Sequence, residues 1–252
     1  MAELDRRYEQ TIGRADTGVM DQGLRAYMLR VYNYMASGVA ITGVVAYAVY
    51  AMSVVTGADG SITGLTSFGN LMFASAFKWV VIFAPLAMVF FLSFKIQTLS
   101  VGTAQMLFWL FAALMGASIS SIFLVFAGES IARVFFITAA AFGALSLWGY
   151  TTKKDISGWG SFLFMGLIGI IIASLVNLFV GSTALQFAVS VIGVLVFAGL
   201  TAYDTQQIKE MYSVQDDGTV AGKKAVMGAL RLYLDFINLF MMLLQLFGSS
   251  RN

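Results

Sequence analysis

The sequence predicts an all-α membrane protein with seven transmembrane helices. Of its 252 residues, 59% are hydrophobic and 11% are charged, whereas soluble domains contain about 45–50% apolar and 25% charged residues. The mean hydropathy of +0.84 points the same way. Seven apolar stretches each approach the roughly 20 residues that a helix needs to cross a bilayer. The predicted spans are residues 34–54, 78–94, 104–126, 131–150, 160–180, 183–203 and 225–247.

The first span follows a polar stretch, residues 1–30, that mixes acids and arginines. A secretory signal would place a short apolar core near its start, so we expect the first span to remain as an anchor. Just ahead of it, Leu24, Met28, Val31 and Met35 share one helical face, which indicates an amphipathic helix at the cytoplasmic interface. The alternative is an ordinary membrane anchor and topology signal. The chain is therefore divided into a cytoplasmic tail with an interfacial helix (1–30) and a seven-helix transmembrane domain (31–252).

The later spans are separated by short polar connections. The third carries Ala112, Gly116 and Ser120 at four-residue spacing, and small residues in that register let helix backbones approach closely. Two lysines at 153–154 separate the fourth span from the fifth. The sixth span is expected to continue to residue 211, where a polar loop leads to the seventh.

Basic residues are distributed unequally between the two ends of the predicted spans. Twelve of the 15 Lys and Arg residues lie at the end that carries the N-terminal tail, and Lys78, Arg133 and Arg251 lie at the other. Cytoplasmic loops of membrane proteins carry such an excess of Lys and Arg. We therefore expect a cytoplasmic N-terminus and, after seven crossings, a C-terminus outside.

Missing residue types exclude several functional classes. The chain has no Cys, which excludes thiol catalysis and disulfides. It has no His, which excludes the usual pH switch, the commonest transition-metal ligand and a Ser-His-Asp triad. A net charge of +2 gives no basic surface for nucleic acid. We expect no enzymatic activity and no bound cofactor.

Two acids remain at membrane depth, Asp204 in the sixth span and Asp235 in the seventh. The two helices are consecutive and antiparallel, and each acid lies about 10–15 Å from the basic end at a rise of 1.5 Å per residue. The carboxyl groups can therefore meet. A charge inside a bilayer costs about 2.5–3.5 kcal/mol even on the lenient insertion scale, so neither acid should face lipid.

A facing pair of carboxylates predicts proton sharing and weak cation binding. Two close carboxylates in a dry site resist ionising together and can hold one proton between them. Ionised, Asp204 and Asp235 offer hard oxygen ligands suited to Ca²⁺, but they fall far short of the about six to eight oxygens of a tight site. The sequence thus predicts a weak transit site, with a structural role in helix packing as the alternative.

Four polar neighbours are candidates for support of this pair. Gln207 and Asn238 each follow one aspartate by three residues and share its helix face. Lys95, at the end of the second span, could reach inward as a latch or snorkel to the interface. Arg231, one helical turn before Asp235, could screen its charge.

The segments around the aspartates resemble a known family. AYDTQQIK (202–209), followed by LYLDFINLF (232–240), resembles the paired C-terminal signature of the Bax inhibitor-1 family, and VYNYMASG (31–38) resembles its bacterial members. The resemblance covers the chain from about residue 25 onward. It implies a bundle in which the C-terminal helix is central and surrounded by the other six.

The resemblance also implies a function. Family members are associated with a pH-sensitive Ca²⁺ leak, and the family's di-aspartyl pH sensor falls on Asp204 and Asp235. Bacterial relatives carry an arginine latch near the second and third helices, where this sequence has no arginine. Lys95 is the nearest basic residue, and a lysine cannot make the bidentate fork to a carboxylate.

We therefore expect a pH-sensitive cation (Ca²⁺) leak channel of a bacterial inner membrane, whose partners are the lipid bilayer, Ca²⁺ and protons. The alternative is a non-transporting regulator that binds another membrane protein, such as a membrane protease. A third hypothesis, an intramembrane aspartyl enzyme, would use the same pair. Such enzymes are expected to carry a glycine after the second aspartate, where this chain has Phe236.

Overall fold

The computed structural model describes residues 2–58 and 61–251, with side chains from residue 22 onward. These residues form mostly α-helix, with one two-stranded antiparallel hairpin and one π-helical turn. The helices are α1 (Ala2–Ser53), α2 (Ser67–Gly69), α3 (Phe77–Lys95), α4 (Val101–Ile119), α5 (Ile122–Val125), α6 (Gly128–Thr151), α7 (Trp159–Val180), α8 (Thr183–Glu210) and α9 (Gly218–Phe247). The strands are β1 (Val54–Thr56) and β2 (Ile62–Leu65), and the π-helical turn is Asn70–Ala74.

Within the described residues, seven segments are long and apolar enough to cross a membrane, which confirms the predicted number and order. The first is Gln22–Ser53 of α1, the third combines α4 and α5, and the others are α3, α6, α7, α8 and α9. Three of the predicted spans differ from the structure. The first begins at Gln22 rather than at residue 34, because α1 is one continuous helix through this stretch. The third span is interrupted between α4 and α5. The seventh helix starts at Gly218, seven residues early, because the Asp217 side chain caps it by accepting the Val220 N–H.

Local sequence fixes the tight turn between α7 and α8. Gly181 has φ 64°, the left-handed conformation that glycine adopts without steric cost. Ser182 follows as the N-cap of α8, and its hydroxyl accepts the Leu185 N–H. These two residues set α8 antiparallel to α7 and so fix where the α8 side chains point.

The seven spans give the bundle two ends. We call the end with residues 96–100, 152–158 and 211–217 the basic face, and the end with the β1–β2 hairpin and residues 248–251 the opposite face. Which of them meets the cytoplasm stays a prediction. Of the residues used for that prediction, the side chains of Arg6, Arg7 and Arg14 lie outside those described, as does Asn252.

The helix α9 is the centre of the bundle, as predicted. In the most apolar 18-residue stretch of α9, 67% of the residues are buried, whereas in the corresponding stretches of α3 and α7 only 11% are buried. It packs directly against α1, α4, α6 and α8, whereas α3 packs mainly on α4 and α7 mainly on α8. The expectation that six helices surround α9 is thus refined to an inner ring of four with two outer helices.

A buried hydroxyl joins three of the inner helices. Thr42 Oγ1 on α1 lies 2.8 Å from the carbonyl oxygen of Ala112 on α4 and 2.6 Å from Tyr233 Oη on α9. Close packing permits this: a Cβ at Gly116 would stand 2.5 Å from the Thr42 carbonyl oxygen. The predicted role of the small residues in α4 is confirmed.

The apolar face predicted for an interfacial helix packs inside the protein. Met28, Val31 and Met35 are all buried in the main core, and Val31 packs beside Gly228 of α9. This correction has a simple reason: α1 continues through residue 30 without a break, so its apolar stripe stays in register with the bundle. The division of the chain at residue 30 remains a prediction.

Residues 248–251, which we call the clasp, fold back on the opposite face. The Arg251 guanidinium donates to the Phe123 carbonyl oxygen at 2.7 Å and to the Tyr50 hydroxyl, and it lies over the Tyr50 ring. The Ser249 N–H donates to Ser130 Oγ at 2.9 Å. The clasp therefore ties the end of α9 to α1, α5 and α6.

Candidate functional site

Asp235 is buried at the centre of the bundle. Only 5% of the residue is exposed, because α9 is enclosed by four other helices. Its Oδ2 atom is buried and has no hydrogen-bond partner among the described residues. A buried carboxylate oxygen without a partner is unfavourable by at least about 1–3 kcal/mol. The position therefore needs a proton or a cation to balance it.

Asp204 of α8 is the immediate neighbour of this carboxyl group. The two side chains lie within hydrogen-bonding reach of each other, and Asp204 is half-buried. Two contacts nearer the opposite face fix the register that aligns them. The Ser190 hydroxyl donates to Gln245 at 2.8 Å, and Met242 packs against Gly193. The structure thus brings together the two acids that the sequence singled out.

The basic candidates are placed differently from one another. Lys95 is exposed, and it forms no ion pair within the described part of the chain, where the one salt bridge joins Lys224 to Asp216 at 2.6 Å. The structure therefore does not bring Lys95 to the carboxyl pair. Arg231 is also exposed but lies close enough to act electrostatically on both aspartates.

The two amide candidates, Asn238 and Gln207, also differ in their position relative to the carboxyl pair. Asn238 is half-buried on the Asp235 face of α9. Gln207 turns away from the pair, since its amide donates to Glu210 at 3.1 Å. The buried glutamine is its neighbour Gln206, which accepts the Ile156 N–H at 3.0 Å and donates to the Lys154 carbonyl at 2.8 Å. Gln206 fixes the loop between α6 and α7.

A chain of hydroxyls beside Asp204 was missed by sequence reasoning. Tyr32 Oη lies 3.0 Å from Ser146 Oγ, which lies 2.8 Å from Thr205 Oγ1. Thr205 directly follows Asp204 and donates to the carbonyl oxygen of Thr201. Isolated hydroxyl residues in apolar helices carry no periodic signal, so only the packing of α1, α6 and α8 reveals this chain.

A polar cavity of about 380 Å³ opens at the other end of the α8–α9 interface. Its polar side chains come from three helices and include the amides of Asn177, Gln186 and Gln245. We call it the amide pocket. Nothing in the sequence assigns these three amides to one site, because they lie on three different helices and only tertiary packing brings them together.

An apolar groove runs along the side of the bundle between α1 and α6. Its larger part has a volume of about 670 Å³, and a second part of about 290 Å³ continues it. Val39, Phe135 and Phe236 line both parts. Because α1 and α6 do not close fully over α9 here, the buried Phe236 of the central helix forms part of the lining of the groove.

The pair provides two carboxylate side chains and little else for a metal ion. Among the side chains that the structure describes, residues 22–58 and 61–251, no group of three or more acids, His or Cys is placed to hold one. Asp204 and Asp235 could therefore hold a cation only loosely, with the rest of its coordination left to water and neutral oxygens.

Comparison with known proteins bears on this arrangement. Residues 24–252 match the family model described as "Inhibitor of apoptosis-promoting Bax1". The chain belongs to the Bax inhibitor-1 family. This match confirms the family assignment made from the motifs around the two aspartates.

Bacterial relatives of this family member align over nearly their whole length. It is 48% identical to inner membrane protein YbhL of Escherichia coli strain K12, over 94% of this chain and 98% of the relative. An uncharacterized protein of Caulobacter vibrioides is 45% identical and covers 100% of both chains. Uncharacterized protein RP147 of Rickettsia prowazekii is 47% identical over 92% of this chain and 93% of the relative.

Proposed function

We propose that the protein is a pH-sensitive cation leak channel, with Ca²⁺ as the principal ion, in a bacterial inner membrane. The observation that carries this proposal is the buried Oδ2 of Asp235, which has no hydrogen-bond partner in the described part of the chain and lies beside the Asp204 carboxyl group. Such a pair is balanced either by a shared proton or by a passing cation. Competition between these two occupants makes cation passage depend on pH.

The location follows from the chain and its relatives. Seven apolar helices place the protein in a membrane, and the Escherichia coli relative is named an inner membrane protein. The basic face is proposed to meet the cytoplasm, since cytoplasmic loops concentrate Lys and Arg. The half-buried Asp204 and exposed Arg231 lie toward that face, so ions are proposed to enter the site from there.

The test is Ca²⁺ flux into liposomes that contain the purified protein, measured from pH 5 to pH 8. We expect flux that changes with pH and a loss of that change in Asp204→Asn and in Asp235→Asn. Asp155→Asn is the matched control. Its carboxylate is exposed, and hydrogen bonds from the side chain and backbone N–H of Ser157 lower the pKa of Asp155 below its ordinary value. Asp155 therefore keeps its charge throughout this pH range, and its loss should leave the pH response unchanged.

Flux no greater than that of empty liposomes at every pH would reject the channel. A pH response that survives in both Asn variants would reject the carboxyl pair as its sensor. Folding of each variant is checked first by gel filtration in detergent, so that a misfolded protein is not scored as an inactive one.

The groove between α1 and α6 favours a second candidate, a regulator that binds another membrane protein. Small residues line both of its walls, Ala36 and Ala40 on α1 and Ala139 and Gly143 on α6, and such residues let a further helix approach closely. Ala40→Leu and Gly143→Leu would fill the groove. We expect them to abolish partner capture under this candidate and to leave Ca²⁺ flux unchanged under the channel proposal.

A further inference from the structure

We propose that the α8–α9 interface forms the second half of the ion path, with the amide pocket as its mouth and Met242 as an apolar constriction. This inference rests on the channel proposal and extends it from the carboxyl pair to the opposite face. Three observations support it: a continuous face on each helix, a thioether packed onto a glycine, and a cluster of neutral oxygens beyond it.

The continuous face follows from helix periodicity. On α9, Asp235, Asn238, Met242 and Gln245 are spaced by three or four residues and therefore share one side of the helix. Facing it on α8 are Asp204, Phe197, Gly193, Ser190 and Gln186 at compatible spacing. The Ser190–Gln245 hydrogen bond and the Met242–Gly193 contact show that these faces meet.

Met242 fills the interface between the carboxyl pair and the amide pocket. A Cβ at Gly193 would lie 2.7 Å from Met242 Sδ and 2.8 Å from its Cγ, so the thioether occupies the space that a larger residue would take. Phe197, one turn nearer the pair on α8, is buried and apolar. These three residues form an apolar collar, and apolar constrictions close ion paths by excluding water.

The amide pocket has the chemistry of a mouth for cations. It offers side-chain oxygens from Asn177, Gln186 and Gln245, and its described lining carries no charged side chain. The Asn177 oxygen also accepts the Ser182 N–H and the Gln245 oxygen accepts the Ser190 hydroxyl, which leaves each of these oxygens a second lone pair. Neutral oxygens can replace the water of a hydrated cation without holding it tightly. Gln245 lies ten residues beyond Asp235, about 15 Å along α9 at a rise of 1.5 Å per residue, and the collar lies between them.

The carboxyl pair and the collar should have separable effects on flux. Met242→Ala removes the constriction but leaves both aspartates in place, so we expect Ca²⁺ flux to rise several-fold with an unchanged pH midpoint. Met241→Ala is the matched control, because it makes the same substitution at the adjacent methionine, which lies on a different face of α9. Gln245→Leu should lower flux several-fold, again with the midpoint unchanged, and the Ser190 hydroxyl keeps its bond to the Gln186 carbonyl oxygen.

A labelling experiment tests the collar without relying on transport. The chain has no Cys, so Gln245→Cys and Asn238→Cys each introduce one thiol, on either side of Met242. An impermeant thiol reagent is added to a membrane preparation in which it labels Gln245→Cys. In that preparation, we expect Asn238→Cys to be labelled only in the double variant that also carries Met242→Ala. Equal labelling of Asn238→Cys with and without Met242→Ala, or none in either, would overturn the constriction.

The two proposals fail in different ways. Flat wild-type flux would reject the channel itself. Wild-type flux that varies with pH, together with unchanged flux in both Met242→Ala and Gln245→Leu, would reject only this second half of the path. Equal effects of Met242→Ala and Met241→Ala would also reject it, because they would mean a general loosening of α9.

Discussion

At the scale of single residues, one carboxylate oxygen dominates the site. Asp235 Oδ2 is buried without a hydrogen-bond partner among the described residues, and Asp204 is its acidic neighbour. Two carboxyl groups this close titrate as a unit, because ionising one changes the free energy of ionising the other.

The first prediction concerns this coupling. Asp204→Asn and Asp235→Asn each keep the side-chain shape and remove one titrating group. We expect both variants to fold and the remaining carboxyl group to titrate in a single step, at a midpoint different from either step of the wild type. Carboxyl infrared difference spectra in detergent would measure this. Wild-type midpoints retained in both variants would mean that the two acids do not interact.

The second prediction separates the two basic candidates. Arg231 lies within electrostatic reach of both aspartates, whereas Lys95 is exposed and forms no ion pair among the described residues. We expect Arg231→Gln to move the pH midpoint of Ca²⁺ flux and Lys95→Ala to leave it unchanged. A higher and less pH-dependent flux in Lys95→Ala would instead support the latch predicted from the sequence.

The sequence predicted the central pair but not its surroundings. Acids are rare at membrane depth, so Asp204 and Asp235 were conspicuous in an apolar chain. Gln206 and Gln207 are adjacent and chemically alike, and only tertiary packing decides that Gln206 is buried against the Lys154–Ile156 backbone. The direction in which a single side chain points can be predicted only when the packing of the neighbouring helices is known.

At the scale of helices, close backbone contacts define the inner ring. The carbonyl oxygen of Thr42 on α1 lies against Gly116 of α4, and that of Ala202 on α8 lies against Gly149 of α6. The first contact was predictable from the spacing of small residues in the third span. The start of α9 was not predictable, because its first two turns (GTVAGKK) contain two lysines and no apolar run, and the Asp217 cap precedes the apolar pattern.

The third prediction tests the contact between α1 and α4. A Cβ at Gly116 would stand 2.5 Å from the backbone oxygen of Thr42, so Gly116→Ala forces the helices apart. We expect a loss of about 1–3 kcal/mol in the free energy of unfolding. Gly102→Ala is the matched control on the same helix, since nothing lies within 4 Å of its added Cβ, and it should be neutral or stabilising by up to about 1 kcal/mol. Thermal unfolding in detergent measures both, and equal losses would contradict the close approach.

At the scale of the whole molecule, the bundle has two unlike ends. One carries most of the Lys and Arg residues, and the other carries the hairpin and the clasp. The number of spans was predictable because apolar length alone decides it. The groove between α1 and α6 was not predictable, because it depends on how closely these two helices pack in the folded bundle.

The fourth prediction assigns these ends to compartments. Gln215→Cys adds a thiol at an exposed position on the basic face, and Thr63→Cys adds one in the exposed hairpin on the opposite face. In intact cells we expect an impermeant thiol reagent to label Thr63→Cys and to spare Gln215→Cys until the membrane is permeabilised. The reverse pattern would invert the proposed topology.

The central position of α9 has a consequence for biosynthesis. The ribosome synthesises this helix after the other six spans. Those six spans therefore insert into the membrane before the helix that they will surround is present. Asp235 then arrives when Asp204 is already in place, which spares it a search for a partner in lipid. A premature stop codon before α9 would leave six inserted helices with nothing to close around, and we expect such products to be degraded rather than to persist as partial bundles.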